Sequence, residues 1–394
     1  MTDNHRSIVR RNRWPESASA PVVHPLCPSV VYRSTDADEL DAQYEGRLSG
    51  YTYAREGHPN ASILADKIDW LEGANGGTIT GSGMAAVSAA FLSLLKQGDH
   101  IVAGNQLYGR SLRLLRHDLP RMGVSCTFAD ASDAASVDAA MQPHTRLILV
   151  EVVSNPTLRV ADMDAIARIA GEHNALLMVD NTFTTPRAFR PFEHGADIII
   201  HSVTKMLGGH SDVTLGYVSA RDGAINQALH DCAVTWGLTP SPFDCWLAER
   251  GLNSFELRFD RAQENAVQLA GHIAGIEGVE AVLYPGRPDH PDHSLAKALL
   301  NGNYGNMVSF RLSGDRRQIN AFARAAAPIP FAPTLGDIGT TLSHPASSSH
   351  RALTVEERAG LGITEGFIRV SVGVEDLQLL KRDLLRAIDK AMHS

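Results

Sequence analysis

The sequence predicts an α/β protein: a mostly parallel central sheet with helices on both faces, followed by a smaller C-terminal α+β domain. Three observations carry this reading. Short apolar runs alternate with helical stretches between about residues 60 and 220, the pattern of βαβ units. After Gly237 the texture turns mainly helical. The 394 residues, 44% of them hydrophobic, hold enough apolar material for two or three cores without disulfides or structural metal.

Residues 1–57 are polar and broken by Pro21, Pro25 and Pro28, so they are expected to be an arm that leans on a neighbouring surface. The basic cluster Arg10, Arg11 and Arg13 suits a solvated tail, a segment lying on a partner subunit or a nucleic-acid arm. Residues 58–245 are the expected ligand-binding α/β domain. There Ile63, Leu64, Ile68 and Leu71 recur at helical spacing until Gly73, and the strand 78–80 leads through Gly81-Ser82-Gly83 into an Ala-rich helix. Further strands are expected at 101–103, 147–153, 176–179, 198–200 and 215–218, with a helix over 163–173. Residues 246–394 form the second expected domain: a long helical stretch interrupted at Gly251, a Pro/His-rich loop over 284–293, strands near 307–312 and 367–372, and a closing helix over 375–392.

The formal net charge of −8 disfavours a nucleic-acid or anionic-membrane surface and favours small-molecule chemistry. Cys27, Cys126, Cys232 and Cys245 show no metal-ligand spacing and read as reduced thiols. No apolar segment follows the basic start, and no run approaches the roughly 18 apolar residues of a membrane span. A soluble cytoplasmic protein is expected. His290 and His293 sit in a Pro/Asp loop without further ligands, so no metal site is expected.

Two constellations carry chemistry. The turn Gly81-Ser82-Gly83 follows a strand and opens a helix, where free N–H groups and the positive helix end meet an anion. It also satisfies the dinucleotide fingerprint G-x-G-x-x-A, which would make a nicotinamide dehydrogenase; that reading needs an acid after the next strand, and Asp99 comes before it. The second constellation is an apolar strand ending in Asp180 and, one αβ unit later, His201-Ser202-Val203-Thr204-Lys205 followed by Gly208-Gly209. Strand ends in a parallel sheet are where ligands gather. A partly buried lysine there loses proton affinity and becomes a nucleophile toward an aldehyde. With a phosphate turn, a carboxylate and an imine-forming lysine, the set suits pyridoxal 5′-phosphate.

On these strings, DNTF and HSVTKMLGGHSD, the chain resembles the Cys/Met-metabolism family of fold-type I pyridoxal-phosphate enzymes from about Val23 to its C-terminus. That family contains cystathionine γ-synthase, cystathionine γ- and β-lyases, methionine γ-lyase and the O-acylhomoserine sulfhydrylases. The resemblance implies Lys205 as the Schiff-base lysine and Asp180 as the partner of the pyridine nitrogen. It implies Gly83, Met84, Ser202 and Thr204 as phosphate contacts, Tyr108 as the ring-stacking proton relay, and Asn155 as a contact to the cofactor's 3′ oxygen and to substrate. It further implies that Arg369 grips the substrate α-carboxylate, with Thr334 nearby. Tyr53 and Arg55, in YTYAREGHPN, resemble a motif that reaches the phosphate of a neighbouring subunit, which implies a dimer with shared sites and a homotetramer.

Three departures bear on substrate. Arg110 and Ser111 follow Leu107-Tyr108-Gly109, and Arg110, Arg113 and Arg116 share a helical face, either a solvated stripe or a contact for an anionic substrate group. Thr334 and Gly339 stand where serine and glutamate are frequent in the family. His58-Pro59-Asn60 alters the end of the Tyr53 motif. His344-Pro345-Ala346-Ser347 resembles the γ-chemistry members, so γ-elimination or γ-replacement on a sulfur amino acid or homoserine ester is expected, with a β-lyase as the alternative.

Overall fold

The apolar runs of the first half become one seven-stranded sheet in a computed structural model that describes residues 17–351 and 353–394. The strands are β1 (Thr78–Thr80), β2 (His100–Gly104), β3 (Ser125–Ala129), β4 (Thr145–Glu151), β5 (Leu176–Asp180), β6 (Ile198–Ser202) and β7 (Gly216–Ala220). Their order is β1-β7-β6-β5-β4-β2-β3, with only β7 running antiparallel to its neighbours β1 and β6. Arg10, Arg11 and Arg13 lie outside the described residues.

Alternation along the strands explains why both faces are covered. Val102, Ile148, Val150, Leu177, Val179 and Ile199 pack with Met163, Ile166 and Ile169 of the helix Met163–Glu172. The residues between them, such as Ile101, Leu149, Met178 and Ile200, pack with Ala86, Val87, Ala90 and Phe91 of the helix Gly83–Leu94. Strands buried on both sides read as continuous apolar runs, which is why most were visible in sequence. The strand β3 was not: Ser125-Cys126-Thr127-Phe128-Ala129 is a partly polar edge strand paired only with β2.

The second sheet is antiparallel, built from β8 (Val279–Leu283), β9 (Met307–Leu312), β10 (Thr341–Ser343) and β11 (Phe367–Ser371) in the order β10-β11-β9-β8. It shares a core with the helices Phe255–Ile273, Arg316–Ala325 and Leu377–Met392. Gly251 does not interrupt the preceding helix, which runs Pro242–Leu252; the break comes after it. A Cβ at Gly251 would stand 2.3 Å from the Gly208 carbonyl oxygen, so the glycine serves a close approach rather than a turn. Residue 245, expected at a domain edge, lies inside this helix and packs with Leu64, Ile68 and Tyr217. Among its described residues the arm contains one short helix, Ala37–Tyr44, capped by Asp36. Val22, Val23, Val30 and Val31 of the arm are exposed.

Candidate active site

Three neighbouring parallel strands end in polar groups at one edge of the large sheet. Glu151 at the end of β4 is in register with Asp180 at the end of β5, and Asp180 pairs with Ile200 of β6, two residues before Ser202. Above these ends lies a cavity of about 970 Å³. Gly83, Met84, Tyr108 and Asn155 line it, as do Asp180, Ser202, Thr204 and Lys205, and Thr334 and Arg369 close it from the second sheet's side.

One wall is an anion cup. Ser82 caps the helix Gly83–Leu94 by accepting from Ala85 N–H, and Gly83 and Met84 supply the first helical N–H groups, which have no carbonyl before them in the helix. A Cβ on Gly83 would stand 2.7 Å from the Ser202 Cβ, so glycine is what lets the helix end and Ser202 meet. Ser202 donates its N–H to Thr182 Oγ1 at 2.7 Å. Thr204 is less available than expected: its hydroxyl donates to the Leu215 carbonyl at 3.2 Å and accepts the Leu215 N–H at 3.0 Å.

Asp180 Oδ1 accepts from Thr182 N–H at 3.0 Å. Burial raises its pKa, opposed by the Thr182 hydrogen bonds and by nearby His201. His201 is itself buried and bonded to Glu72, which also accepts from Asn181 Nδ2 at 2.8 Å. Lys205 sits in the turn after β6. Burial lowers its pKa, the Arg369 charge adds to that shift, and Asp337 opposes it. A lysine so placed gives up its proton more readily than an exposed one.

The Lys205 turn is held from two sides. Arg258 is buried and donates to the carbonyls of Met206 (2.7 Å), Leu207 (3.1 Å) and Gly251 (2.9 Å). Burial lowers its pKa to about 10, still a cation at neutral pH. Gly209 takes φ +74°, and a Cβ there would stand 1.9 Å from Arg258 Nη1. From the other side, Ile338 N–H donates to Gly209 O at 2.9 Å, Ser211 bonds Asp337, and Gly336 (φ +77°) lies against Met206.

Arg369, in the middle of β11, is buried without a carboxylate partner among the described residues: Nη1 donates to Asn155 Oδ1 at 2.6 Å and Nη2 to the Thr334 carbonyl at 2.7 Å. Its Nε is buried and unpartnered. A buried cation satisfied only by neutral oxygens is prepared for an anion. At the mouth, the exposed Arg110, Arg113, Arg116 and Arg351 all line the cavity. Arg113 lies 4.0 Å from Asp118 and Arg116 3.5 Å from Glu357, both in exposed geometry.

Tyr53 and Arg55 do not line this chain's cavity; the Arg55 guanidinium lies 5.2 Å from the Tyr53 ring centroid and pairs with Glu56 at 3.3 Å. Gly339 is also outside it, beside Glu375, which accepts from Thr340. Sequence reasoning passed over Glu151 and His350, which line the cavity, and Arg258, which holds the Lys205 turn behind it. Glu151 carried the same signal as Asp180, an apolar strand ending in a carboxylate, but placing the strand end at 153 hid it. The dinucleotide reading fails locally, because Asp99 Oδ2 accepts from Lys96 N–H at 2.8 Å in the turn before β2. Among the described residues no three His, Cys, Asp or Glu side chains could hold a metal ion, and no helix is long and apolar enough to cross a membrane.

An open, mostly parallel sheet with a helix-end anion cup, a strand-end carboxylate and a turn lysine defines a fold-type I pyridoxal-phosphate enzyme. Residues 6–389 match the Cys/Met metabolism PLP-dependent enzyme family, and the chain belongs to it. An L-methionine gamma-lyase of Porphyromonas gingivalis is 36% identical over 376 residues, 95% of this chain and 94% of that protein. A cystathionine beta-lyase of Bacillus subtilis is 38% identical over 341 residues, 86% of this chain and 87% of that protein. The cystathionine gamma synthase of Xanthomonas oryzae pv. oryzae, solved with cystathionine, superimposes with a TM-score of 0.90 at 36% identity, covering 96% of this chain and 95% of that one. The chain is therefore a pyridoxal-phosphate enzyme of sulfur amino-acid metabolism.

Proposed function

We propose that the chain catalyses γ-elimination or γ-replacement on a sulfur amino acid or an O-acylhomoserine, as the trans-sulfuration relatives do. The observation that carries this is the convergence of Lys205, Asp180, the Gly83–Ser202 cup and the uncompensated Arg369 on one cavity. The cup and the glycine at Gly83 fit a phosphate, and the remaining donors fit a pyridine ring and an aldehyde.

Bound pyridoxal phosphate supplies an aldehyde that joins to amines and a ring that accepts electrons from Cα. Gly83 and Met84 N–H and the Ser202 hydroxyl hold the phosphate, with Thr204 as a further contact once its hydroxyl turns from Leu215. Asp180 retains a proton at the pyridine nitrogen by charge pairing, and Asn155 Nδ2, left free by the Arg369 bond to Oδ1, is the donor for the ring's 3′ oxygen. Arg369 fixes the substrate α-carboxylate, and Thr334 lends its carbonyl to Arg369. Lys205 is the amine that would hold the cofactor's aldehyde and, once free, would take the Cα proton as a general base. Tyr108, which lines the cavity, would lie against the bound ring and would carry a proton toward the γ-substituent. The cations at Arg110, Arg113 and Arg116 face the far end of the substrate and favour an anionic distal group.

Tyr53 and Arg55 complete the phosphate site of a neighbouring subunit, so the working unit is a homodimer with shared sites, paired into a tetramer. Their position outside this chain's cavity and the exposed valines of the arm support this. The four free cysteines suit a reducing cytoplasm. The deciding experiment is product identity from cystathionine, methionine, O-acetylhomoserine and O-succinylhomoserine, with and without cysteine or sulfide. The γ-reading expects 2-oxobutanoate or a γ-replacement product; pyruvate from cystathionine would assign a β-lyase instead.

A further inference from the structure

We propose that Glu151 is a positioning residue of this site, a buried acceptor at the end of β4 that fixes Tyr108 through its backbone amide. The inference rests on the ring-facing roles given above to Tyr108 and Asp180.

Tyr108 N–H donates to Glu151 Oε1 at 2.7 Å. This bond matters because little else orients Tyr108. Its side chain is 41% exposed, and no side-chain bond caps the five-residue helix Gly109–Arg113 that starts behind it. The next residue is pinched from above: a Cβ on Gly109 would stand 2.0 Å from the Ser349 carbonyl oxygen. The segment Tyr108–Gly109 is thus clamped between a carboxyl at the end of β4 and the Ser349 carbonyl, and Tyr108 lines the cavity beside that clamp.

The acid is uncharged for reasons of placement. Glu151 and Asp180 end adjacent parallel strands in register, so their backbones are about 4.8 Å apart. Two buried carboxyls at that spacing do not both ionise cheaply. Asp180 has the Thr182 donors and the buried His201 on its side, whereas Glu151 has no cation bonded to it. The titratable or charged groups sharing the main cavity with Glu151 are Asp180, Tyr108, Lys205, His117, His350 and the arginines of the roof and mouth. On its other side, a small cavity of about 20 Å³ brings in Asp130 and Arg159, and Arg159 is paired with Asp292. Burial first, then Asp180, raises the Glu151 pKa well above the usual carboxylate range. A neutral carboxyl still accepts from Tyr108 through its carbonyl oxygen.

The test compares Glu151→Gln, Glu151→Met and Tyr108→Phe in the pyridoxal-phosphate holoenzyme. Readouts are kcat, KM, the pH profile of kcat/KM between pH 6 and 9, the visible circular dichroism of the bound cofactor and the melting temperature of apo and holo forms. Glu151→Gln keeps a neutral acceptor, so kcat stays within about threefold, with the pH profile and dichroic band unchanged. Glu151→Met removes the acceptor, so kcat falls about 10- to 100-fold with little change in KM, and the dichroic band weakens. Four results would overturn the proposal: Gln as damaging as Met, a pH limb lost in Gln, Met behaving as wild type, or Met lowering only the melting temperature with the band intact. Should the Met variant not fold, the Gln activity and pH profile still decide. A Tyr108→Phe enzyme equal to wild type would sink the role given to Tyr108, a failure distinct from any Glu151 result because the dichroic band reads the clamp directly.

Discussion

Arg369 Nη1 donates to Asn155 Oδ1 at 2.6 Å across the cavity, joining the second sheet to the loop after β4. The bond is neutral on the Asn155 side, so it orients the guanidinium without neutralising it. Burial lowers the Arg369 pKa to about 10, which still leaves a full charge at neutral pH.

The first prediction follows from that neutrality. Asn155→Asp would place a carboxylate on Arg369 and compete with the substrate's own α-carboxylate. KM should rise about 10- to 100-fold, the range of one lost charge-assisted pair. Asn155→Ala, which loosens the guanidinium and removes the donor to the ring's 3′ oxygen without adding a charge, should raise KM less. Steady-state kinetics with a single amino-acid substrate checks both, and an Asp variant with wild-type KM would remove Arg369 from carboxylate binding.

Lys205 and Arg369 are coupled through charge. The apoprotein should bind pyridoxal phosphate faster as pH rises, with a midpoint below the ordinary lysine value of about 10.4. Removing the Arg369 charge by Arg369→Met should move that midpoint upward, because the protonated lysine loses a like-charge neighbour. Stopped-flow absorbance of cofactor uptake measures it. A downward or absent shift would contradict the coupling.

Much of this site was legible because catalysis at a parallel sheet puts its polar residues at the ends of long apolar runs. Asp180 and Lys205 follow such runs directly, and Gly83 follows the turn of β1. Arg258 was not legible, since an arginine within Phe255–Ile273 reads as solvent-facing until the carbonyls of Met206, Leu207 and Gly251 are seen around it. His350 was hidden likewise in a serine-rich loop that carries no periodicity. In the fold, β3 and the three-residue β10 escaped because their pairing is a tertiary fact; neither segment has the composition of a buried strand.

The arginines at the cavity mouth predict salt-dependent selectivity. Arg110 is exposed and has no ion pair among the described residues, so its attraction for a distal anion is screened by salt. Arg110→Ala should lower kcat/KM for O-succinylhomoserine about 3- to 10-fold, the scale of one exposed charge contact, and leave O-acetylhomoserine nearly unchanged. Raising ionic strength should erode the wild-type preference in the same direction. Equal losses on both esters would make the row a solvated stripe.

Acid stability supplies the last prediction. His350 is buried among Arg369 and Arg358, and burial first, then those charges, lowers its pKa to about 4. Burial also lowers His58, His100, His290 and His344. At these histidines the unfolded chain binds more protons than the folded one below about pH 6.5, so the stability they contribute is complete above that pH and falls as pH drops toward 4. For His350 alone the difference between 6.5 and about 4 amounts to about 3 kcal/mol. His350→Gln removes the titration while keeping a polar side chain of similar reach. Its melting temperature should fall less steeply than wild type between pH 6.5 and 4.5, even if it starts lower at pH 7.5. Parallel slopes in the two proteins would show that His350 takes up its proton without unfolding.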